Sequence, residues 1–216
     1  MSPESCFPIG GTYVFAVNSA AKESCKAFLQ IASLLFFFAI FAASFSTKAA
    51  EFSLGGVVDL AGKTVSLPET QQFMVFIFLS VDCPISNRYA PTLRKLQSDF
   101  QNAQWILVYP NADEDSAAIQ KSLREFGLNF KAWRDTKHAL VKSANVSVTP
   151  EVAVFLPTAG FIYRGRIDDR HVDFGKYSAE ARTNDLRDIL VGIEKGKTPS
   201  PRITKAVGCS IPKLRN

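Results

Sequence analysis

An α/β fold, with a sheet of mixed direction and helices on both faces, is the class this sequence predicts, and three observations carry it. The run Phe73-Met74-Val75-Phe76-Ile77-Phe78-Leu79 is apolar throughout and rich in β-branched and aromatic residues, the pattern of a strand buried on both faces. Strand-like and helix-like periods alternate after it. A late hairpin, closed by Pro157-Thr158-Ala159-Gly160, adds antiparallel strands. The 216 residues, 47% hydrophobic and 21% charged, suit one or at most two globular domains and exclude a disordered or collagen-like chain.

Residues 1–50 form a segment of a different kind. From Ala27 to Thr47 there is no charged side chain, and Lys22 and Lys26 precede the run, as in a secretory signal or a membrane anchor. Its 21 residues meet the roughly 20 that a bilayer core requires. Thr47-Lys48-Ala49 places small residues for cleavage before Ala50, the outcome favoured over anchoring. Either outcome puts the rest of the chain outside the cytoplasm, in the periplasm or an equivalent compartment, with a membrane tether if the run is retained. Of the net charge of +5, +4 lies beyond residue 50 without a basic block. Arg164, Arg166 and Arg170 are interleaved with Asp168 and Asp169, so a nucleic-acid partner is not expected.

The exported part divides into a domain over 51–196 and an irregular tail over 197–216. A leading hairpin is expected around Val57–Leu60 and Thr64–Leu67, turned by Gly62-Lys63. After the Phe73–Leu79 strand, Tyr89, Leu93, Leu96 and Phe100 recur at helical steps, predicting a helix from about Ser86 to Gln101. Ser86 or Asn87 would cap it, and Pro91 would kink it by removing one hydrogen bond. Trp105–Tyr109 reads as the second strand. Ile119, Leu123 and Phe126 mark a helix closed at Gly127, and Asp135 caps another that carries Leu140, Val141 and Ala144. Val152–Leu156 and Phe161–Tyr163 are the hairpin strands, and Leu186, Ile189, Leu190 and Ile193 stripe a last helix before Gly196.

The exported part has two cysteines, Cys83 and Cys209. A pair of this kind, in an oxidising compartment, is either a structural disulfide or a working thiol couple, and their 126-residue separation decides neither. Cys83 stands where the central strand gives way to a helix. Unsatisfied N–H groups there favour an anion and lower a thiol pKa from its ordinary value of about 8.5. Cys83 is therefore the expected nucleophile.

The residues around it resemble the thioredoxin-like superfamily, in particular its redoxin and alkyl-hydroperoxide-reductase/thiol-specific-antioxidant branch. The resemblance covers about Phe52 to Val191. It rests on Phe78-Leu79-Ser80-Val81-Asp82-Cys83-Pro84 with Pro91 eight residues after the cysteine, and on Val148-Thr149-Pro150-Glu151 followed by Gly160-Phe161-Ile162-Tyr163-Arg164-Gly165. It implies a thioredoxin-like mixed sheet flanked by helices. It also implies a cis Thr149-Pro150 bond beside Cys83, with Val148 and Thr149 offering backbone groups to an extended substrate and Pro84 and Ser86 lining the same site. The second cysteine of Cys-x-x-Cys is here Ser86, so the resemblance leaves Cys209 as the possible resolving thiol. Ser80 fits the Ser/Thr position of peroxiredoxins, Phe76 stands where they carry proline, and Arg164 or Arg166 is the available cation. Copper chaperones of this fold need two cysteines and a histidine, and His138 and His171 have no second local cysteine, which ranks that reading third.

The expected activity is that of a thiol-dependent oxidoreductase, attacking a disulfide or a peroxide through Cys83 and regenerated by a thiol reductant, with no cofactor or metal. A peptide-binding module without turnover is the competing class, favoured by Ser86.

Overall fold

A computed structural model describes residues 52–67, 72–173 and 175–214. The apolar run of residues 27–47 lies outside them. Among the described residues no helix is long and apolar enough to cross a membrane.

The central strand forms as the sequence predicts. It is β2, Met74–Phe78, and every residue in it is buried. Its side chains alternate between two cores. Val75 and Ile77 join Leu93, Leu96, Ile119, Leu186, Ile189 and Leu190 on one face, while Met74, Phe76 and Phe78 join Val57, Trp133, Leu140 and Val141 on the other. Both faces are therefore covered, which is why the run lacks the polar alternation of a half-exposed strand.

Seven strands make the main sheet. They are β1 (Val58–Asp59), β2, β3 (Gln104–Tyr109), β4 (Lys131–Arg134), β6 (Glu151–Leu156), β7 (Gly160–Gly165) and β10 (Arg202–Ile203). They lie in the order β1-β4-β3-β2-β6-β7-β10. β2, β3 and β4 run parallel, β6 is antiparallel to both β2 and β7, and β1 and β10 close the edges antiparallel and parallel to their neighbours. The helices are α1 (Pro84–Arg88), α2 (Ala90–Asp99), α3 (Ser116–Glu125), α4 (Ala139–Ala144) and α5 (Asp185–Glu194). Two further pairs stand apart from the main sheet: β5 (Val148–Thr149) with β11 (Cys209–Ser210), and β8 (His171–Asp173) with β9 (Lys176–Tyr177).

Four local expectations are corrected. The helix expected over 86–101 is two helices broken at Tyr89, which caps the end of α1 and the start of α2 with φ −81° and ψ −8°. Pro91 sits in the first turn of α2 rather than kinking one long helix, because its ring nitrogen cannot donate to the preceding turn. The start moves as well: Cys83 is the N-cap with Pro84 in the first turn, and the Asn87 side chain reaches back 3.1 Å to the Val81 carbonyl instead of capping. The leading hairpin shrinks to one bridge, Val58 to Thr64, while β1 spends its other edge on β4.

β4 has no counterpart in the expected order of elements. Its four residues begin and end with Lys131 and Arg134, and only Ala132 and Trp133 between them are buried, too short a signal for period-two reading. Asp135 serves its helix from a distance, its carboxylate accepting from Ala139 N and Val141 N at 2.8 Å each.

The fourth correction concerns the tail. Residues 197–216 were expected to lie irregularly, yet β10 pairs with β7 and β11 pairs with β5. Thr204 is the staple: its N–H donates to Arg164 O at 3.0 Å, and its hydroxyl meets Arg166 N at 3.1 Å and the Tyr163 hydroxyl at 2.8 Å. Gly165, with φ 143°, permits this approach, since a Cβ there would sit 2.3 Å from the Thr204 carbonyl oxygen. From this anchor the chain returns toward β5, where Ile211 N donates to Ser147 O at 3.0 Å.

Candidate redox site

Phe78 ends β2, Leu79 N donates to Val108 O at 2.9 Å, and the chain then turns through Ser80-Val81-Asp82 into α1. Glu114 holds that turn. Its Oε1 accepts from Ser80 Oγ at 2.5 Å and from Val81 N at 3.0 Å, while its other carboxylate oxygen is buried without a hydrogen-bond partner among the described residues. Burial pushes the Glu114 carboxyl up despite these donors. Cys83 N then donates to Ser80 O at 3.2 Å, fixing the cysteine at the head of α1.

The second wall is the loop before β6. Glu151 is 4% exposed, and its Oε2 accepts from Ser147 N at 2.8 Å and Val148 N at 3.3 Å. Two buried carboxylates thus fix the two loops that meet at the sulfur. The Thr149-Pro150 bond is cis, and the neutral Cys83 thiol donates to Thr149 O at 3.0 Å. Cys83 is 1% exposed.

The tail supplies the third wall. β11 runs antiparallel to β5 with Cys209 opposite Thr149 and Ser210 opposite Val148. The Thr149 hydroxyl adds a bond to Cys209 O at 3.4 Å. Gly208, which is buried, is what lets the strands come this close: a Cβ on it would lie 2.2 Å from Thr149 O and 2.6 Å from its carbonyl carbon. Both Cys83 and Cys209 are free thiols, and they face each other.

Burial raises the Cys83 pKa, but the Cys209 S–H and then the Ser86 hydroxyl and N–H outweigh it and hold the thiol below its ordinary value. Ser86 matters because its Oγ is buried and has no hydrogen-bond partner among the described residues in the neutral site, so the ionised sulfur is an acceptor open to it. Cys209 moves the opposite way. Its own burial, its bond to Cys83 and the Cys83 charge push it up to about 11. The pair therefore divides into a nucleophile and a proton-bearing partner. The helix contributes less than a strand-to-helix junction suggests, since α1 has five residues and the dipole effect is confined to a terminal turn.

An expected outcome follows for the isolated chain. The rate of Cys83 alkylation should rise with a midpoint below about 8.5, the ordinary thiol value. Cys209 should stay protonated to about 11 and contribute no step in that range. The check is iodoacetamide labelling against pH with each cysteine quantified by mass spectrometry; a Cys83 midpoint at or above the ordinary value contradicts this electrostatic account.

Of the residues singled out in the sequence, Cys83, Pro84, Ser86, Val148, Thr149, Pro150 and Cys209 come together. Ser80 belongs to the same loop, with its hydroxyl committed to Glu114. Arg164 does not join them. Its guanidinium donates to the Asn145 carbonyl at the end of α4, on the other side of the sheet. Arg166 is likewise engaged, bonding Asp185 Oδ2 at 2.7 Å. Neither arginine supplies the cation expected beside the sulfur. His138 bonds Pro110 O at 3.0 Å, and His171 packs at a tilt between the Tyr89 and Tyr177 rings, so both histidines have structural contacts. Among the described residues no group of three or more His, Cys, Asp or Glu side chains could hold a metal ion. A cavity of about 560 Å³ lies elsewhere, between β1, β4 and α3, lined in part by Val65, Ile106 and Trp133.

Three contributors escape sequence reading. Glu114 sits in Asp113-Glu114-Asp115 and reads as solvated charge, Glu151 reads as the polar end of a strand, and Gly208 reads as one more loop glycine.

Residues 45–168, more than half of the chain, match the model of the family described as AhpC/TSA family. No curated protein matches the chain. Among solved structures, an uncharacterized conserved protein from Geobacillus kaustophilus is 20% identical with a TM-score of 0.63, over 73% of this chain and 87% of that one. A hypothetical protein from Sinorhizobium meliloti is 21% identical with a TM-score of 0.62, over 72% of this chain and 88% of that one. These likenesses speak to the fold alone, which is the thioredoxin-like mixed sheet with flanking helices.

Proposed function

The chain belongs to the AhpC/TSA family, and from that premise we propose that it is an exported thiol-disulfide oxidoreductase in which Cys83 attacks and Cys209 resolves. The family is one of redoxin-type, thiol oxidoreductase-like proteins. The finer reading rests on one observation, the β5–β11 register that sets the Cys209 thiol against Cys83. It answers the absence of a second cysteine at Ser86: the resolving sulfur comes from the tail instead of the next helical turn.

In the proposed cycle the Cys83 thiolate attacks one sulfur of a substrate disulfide. The mixed disulfide forms, and the other substrate sulfur leaves as a thiolate and takes a proton from water. Cys209 then loses its proton, attacks the Cys83 sulfur and expels the remaining substrate thiol. The protein ends with a Cys83–Cys209 disulfide, which an external thiol reductant returns to the dithiol. The raised pKa of Cys209 suits this order, because a protonated partner does not compete with Cys83 for the first attack. The uncharged run before Ala50 supports an oxidising compartment outside the cytoplasm.

Disulfide is favoured over peroxide as substrate. Breaking a peroxide bond requires donors or a cation preorganised around the leaving oxygen. Ser80 is held by Glu114, and Arg164 and Arg166 are bonded away from the sulfur. Stopped-flow measurement on the reduced chain should therefore show a small disulfide consumed faster than hydrogen peroxide at equal concentration. Faster peroxide consumption that depends on Cys83 would make a peroxidase the better reading.

A further inference from the structure

The tail strand is itself a cysteine presented to Cys83 in an extended segment, and its fit describes what else the same edge accepts. Three features define that fit. Cys209 lies opposite Thr149 and brings its sulfur to Cys83. The residue before it must lack a side chain, because a Cβ at 208 would lie 2.2 Å from Thr149 O, a backbone atom held by β5 and the following cis-proline loop. Val207 packs against the same core as Cys83 and Ile211 against the opposite core, while Ser210 between them is exposed. The pattern across the edge is apolar, glycine, cysteine, polar, apolar.

We propose that the β5 edge beside Cys83 is a binding site for an extended cysteine-containing peptide with glycine immediately before the cysteine, and that residues 207–211 are its resident occupant. The inference rests on Cys83 being an exchanging thiol, and it names the class of substrate. The backbone of such a peptide pairs antiparallel with Val148-Thr149, which gives affinity independent of side chains, and the crowded position before the cysteine gives selection. The tail has to leave for the peptide to enter, since Cys83 is 1% exposed while β11 is in place. The tail's hold suits such exchange: β11 contributes two residues, and residues 212–214 after Ile211 are exposed.

The chemistry balances as strand exchange. Cys83 attacks the peptide sulfur, the peptide's former disulfide partner leaves as a thiolate and is protonated by water, and the peptide remains bonded to Cys83. As β11 pairs again with β5 it displaces the peptide backbone, and Cys209, its proton given to solvent, attacks the Cys83 sulfur. The peptide departs as a thiol. One substrate disulfide is reduced to two thiols, and the two protein thiols become one disulfide.

The test uses the full-length chain with Cys209→Ser, which stops at the mixed disulfide, and the Cys83→Ser, Cys209→Ser chain as background. The probes are a synthetic peptide with the sequence of residues 205–213, its cysteine carrying thionitrobenzoate, the same peptide with valine in place of the glycine, and the thionitrobenzoate disulfide of free cysteine. Release of thionitrobenzoate gives the rate, and mass spectrometry places the adduct. The glycine peptide is expected to modify Cys83 on the order of tenfold faster than the valine peptide. Adding Gly208→Val to the protein, which evicts the resident strand, should raise the rate with the glycine peptide several-fold. Equal rates for the two peptides, with the free-cysteine probe still attacked by Cys83, would overturn the proposed selection and leave thiol exchange standing. No gain from Gly208→Val would overturn the resident-occupant role. No adduct at Cys83 with any probe would instead overturn the exchange reading on which the proposal rests.

Discussion

Replacing Cys83 by Ser is expected to abolish disulfide exchange, with a loss on the order of a thousandfold or more. The expectation follows from what the surroundings are tuned to do. The Cys209 S–H, the Ser86 hydroxyl and the Ser86 and Cys209 N–H groups lower the pKa of the sulfur, which raises the thiolate fraction at a given pH. A hydroxyl is too weak an acid to be ionised by the same donors. The comparison that gives the loss meaning is Cys209→Ala. That variant retains the nucleophile but lacks the resolving sulfur, so it should release the first substrate thiol once and stop with a mixed disulfide at Cys83. The Cys83 titration should also move up, since the largest of the favourable donors is gone. The measurements are steady-state turnover with a small disulfide and intact-mass analysis of the arrested species. Turnover surviving in Cys83→Ser, or continued cycling in Cys209→Ala, contradicts the assigned roles.

Replacing Gly208 by Val should separate the two thiols without touching either. The clash is between backbone and Cβ: the new carbon would lie 2.2 Å from Thr149 O and 3.1 Å from Pro150 N, and neither atom belongs to a flexible side chain. β11 has to leave β5. Cys209 then reacts with Cys83 from a mobile tail instead of from a fixed register, and loss of a preset geometry commonly costs rate on the order of a hundredfold or more. Formation of the Cys83–Cys209 disulfide should slow by about that factor, while alkylation of Cys83 by a small reagent should become faster because its cover is removed. Global stability should change by only about 1 kcal/mol, because the strand lies at the surface and its neighbours Ser210 and Pro212 are exposed. Unaltered disulfide formation in this variant would show that the tail pairing does not control the thiol couple.

How much of this was legible in the sequence differs from element to element. β2 was fully legible because both of its faces are buried, so every position carries the same apolar signal. α3 and α5 were legible because each has one apolar stripe and a clear end. β4 was not, since two charged residues bracket two buried ones. The break at Tyr89 was half legible: Pro91 marked a disruption, but whether the helix kinks or stops depends on Leu93 N finding the Tyr89 carbonyl, a property of the folded turn. The tail strands left almost no trace. Arg202 and Ile203 in β10 are exposed, so their pairing is made by backbone groups that composition does not report.

The site divides along the same line. Cys83, Ser86, Thr149 and Pro150 could be gathered only through the family resemblance, because 66 residues separate Cys83 from Thr149. The expected cations failed for a local reason. Arg164 and Arg166 lie in the hairpin near the site in sequence order, but the Asn145 carbonyl and the Asp185 carboxylate offer them nearer acceptors. The edge at Val148-Thr149, expected to offer backbone groups to an extended substrate, is paired with the chain's own β11. Glu114 and Glu151 were invisible as supports, since a carboxylate that accepts backbone N–H bonds in a loop is spelled like one that faces water.

The central claim is that Cys83 and Cys209 form one redox couple, and peptide mapping after stoichiometric oxidation tests it most directly. The reduced full chain should be treated with one equivalent of oxidised glutathione, quenched by alkylation, digested without reduction and analysed by mass spectrometry. The account predicts a peptide bearing Cys83 linked to the peptide bearing Cys209, lost on Gly208→Val at short reaction times. Cys83 remaining as a glutathione adduct while Cys209 is alkylated, or Cys209 linked to Cys6 or Cys25 instead, would contradict it.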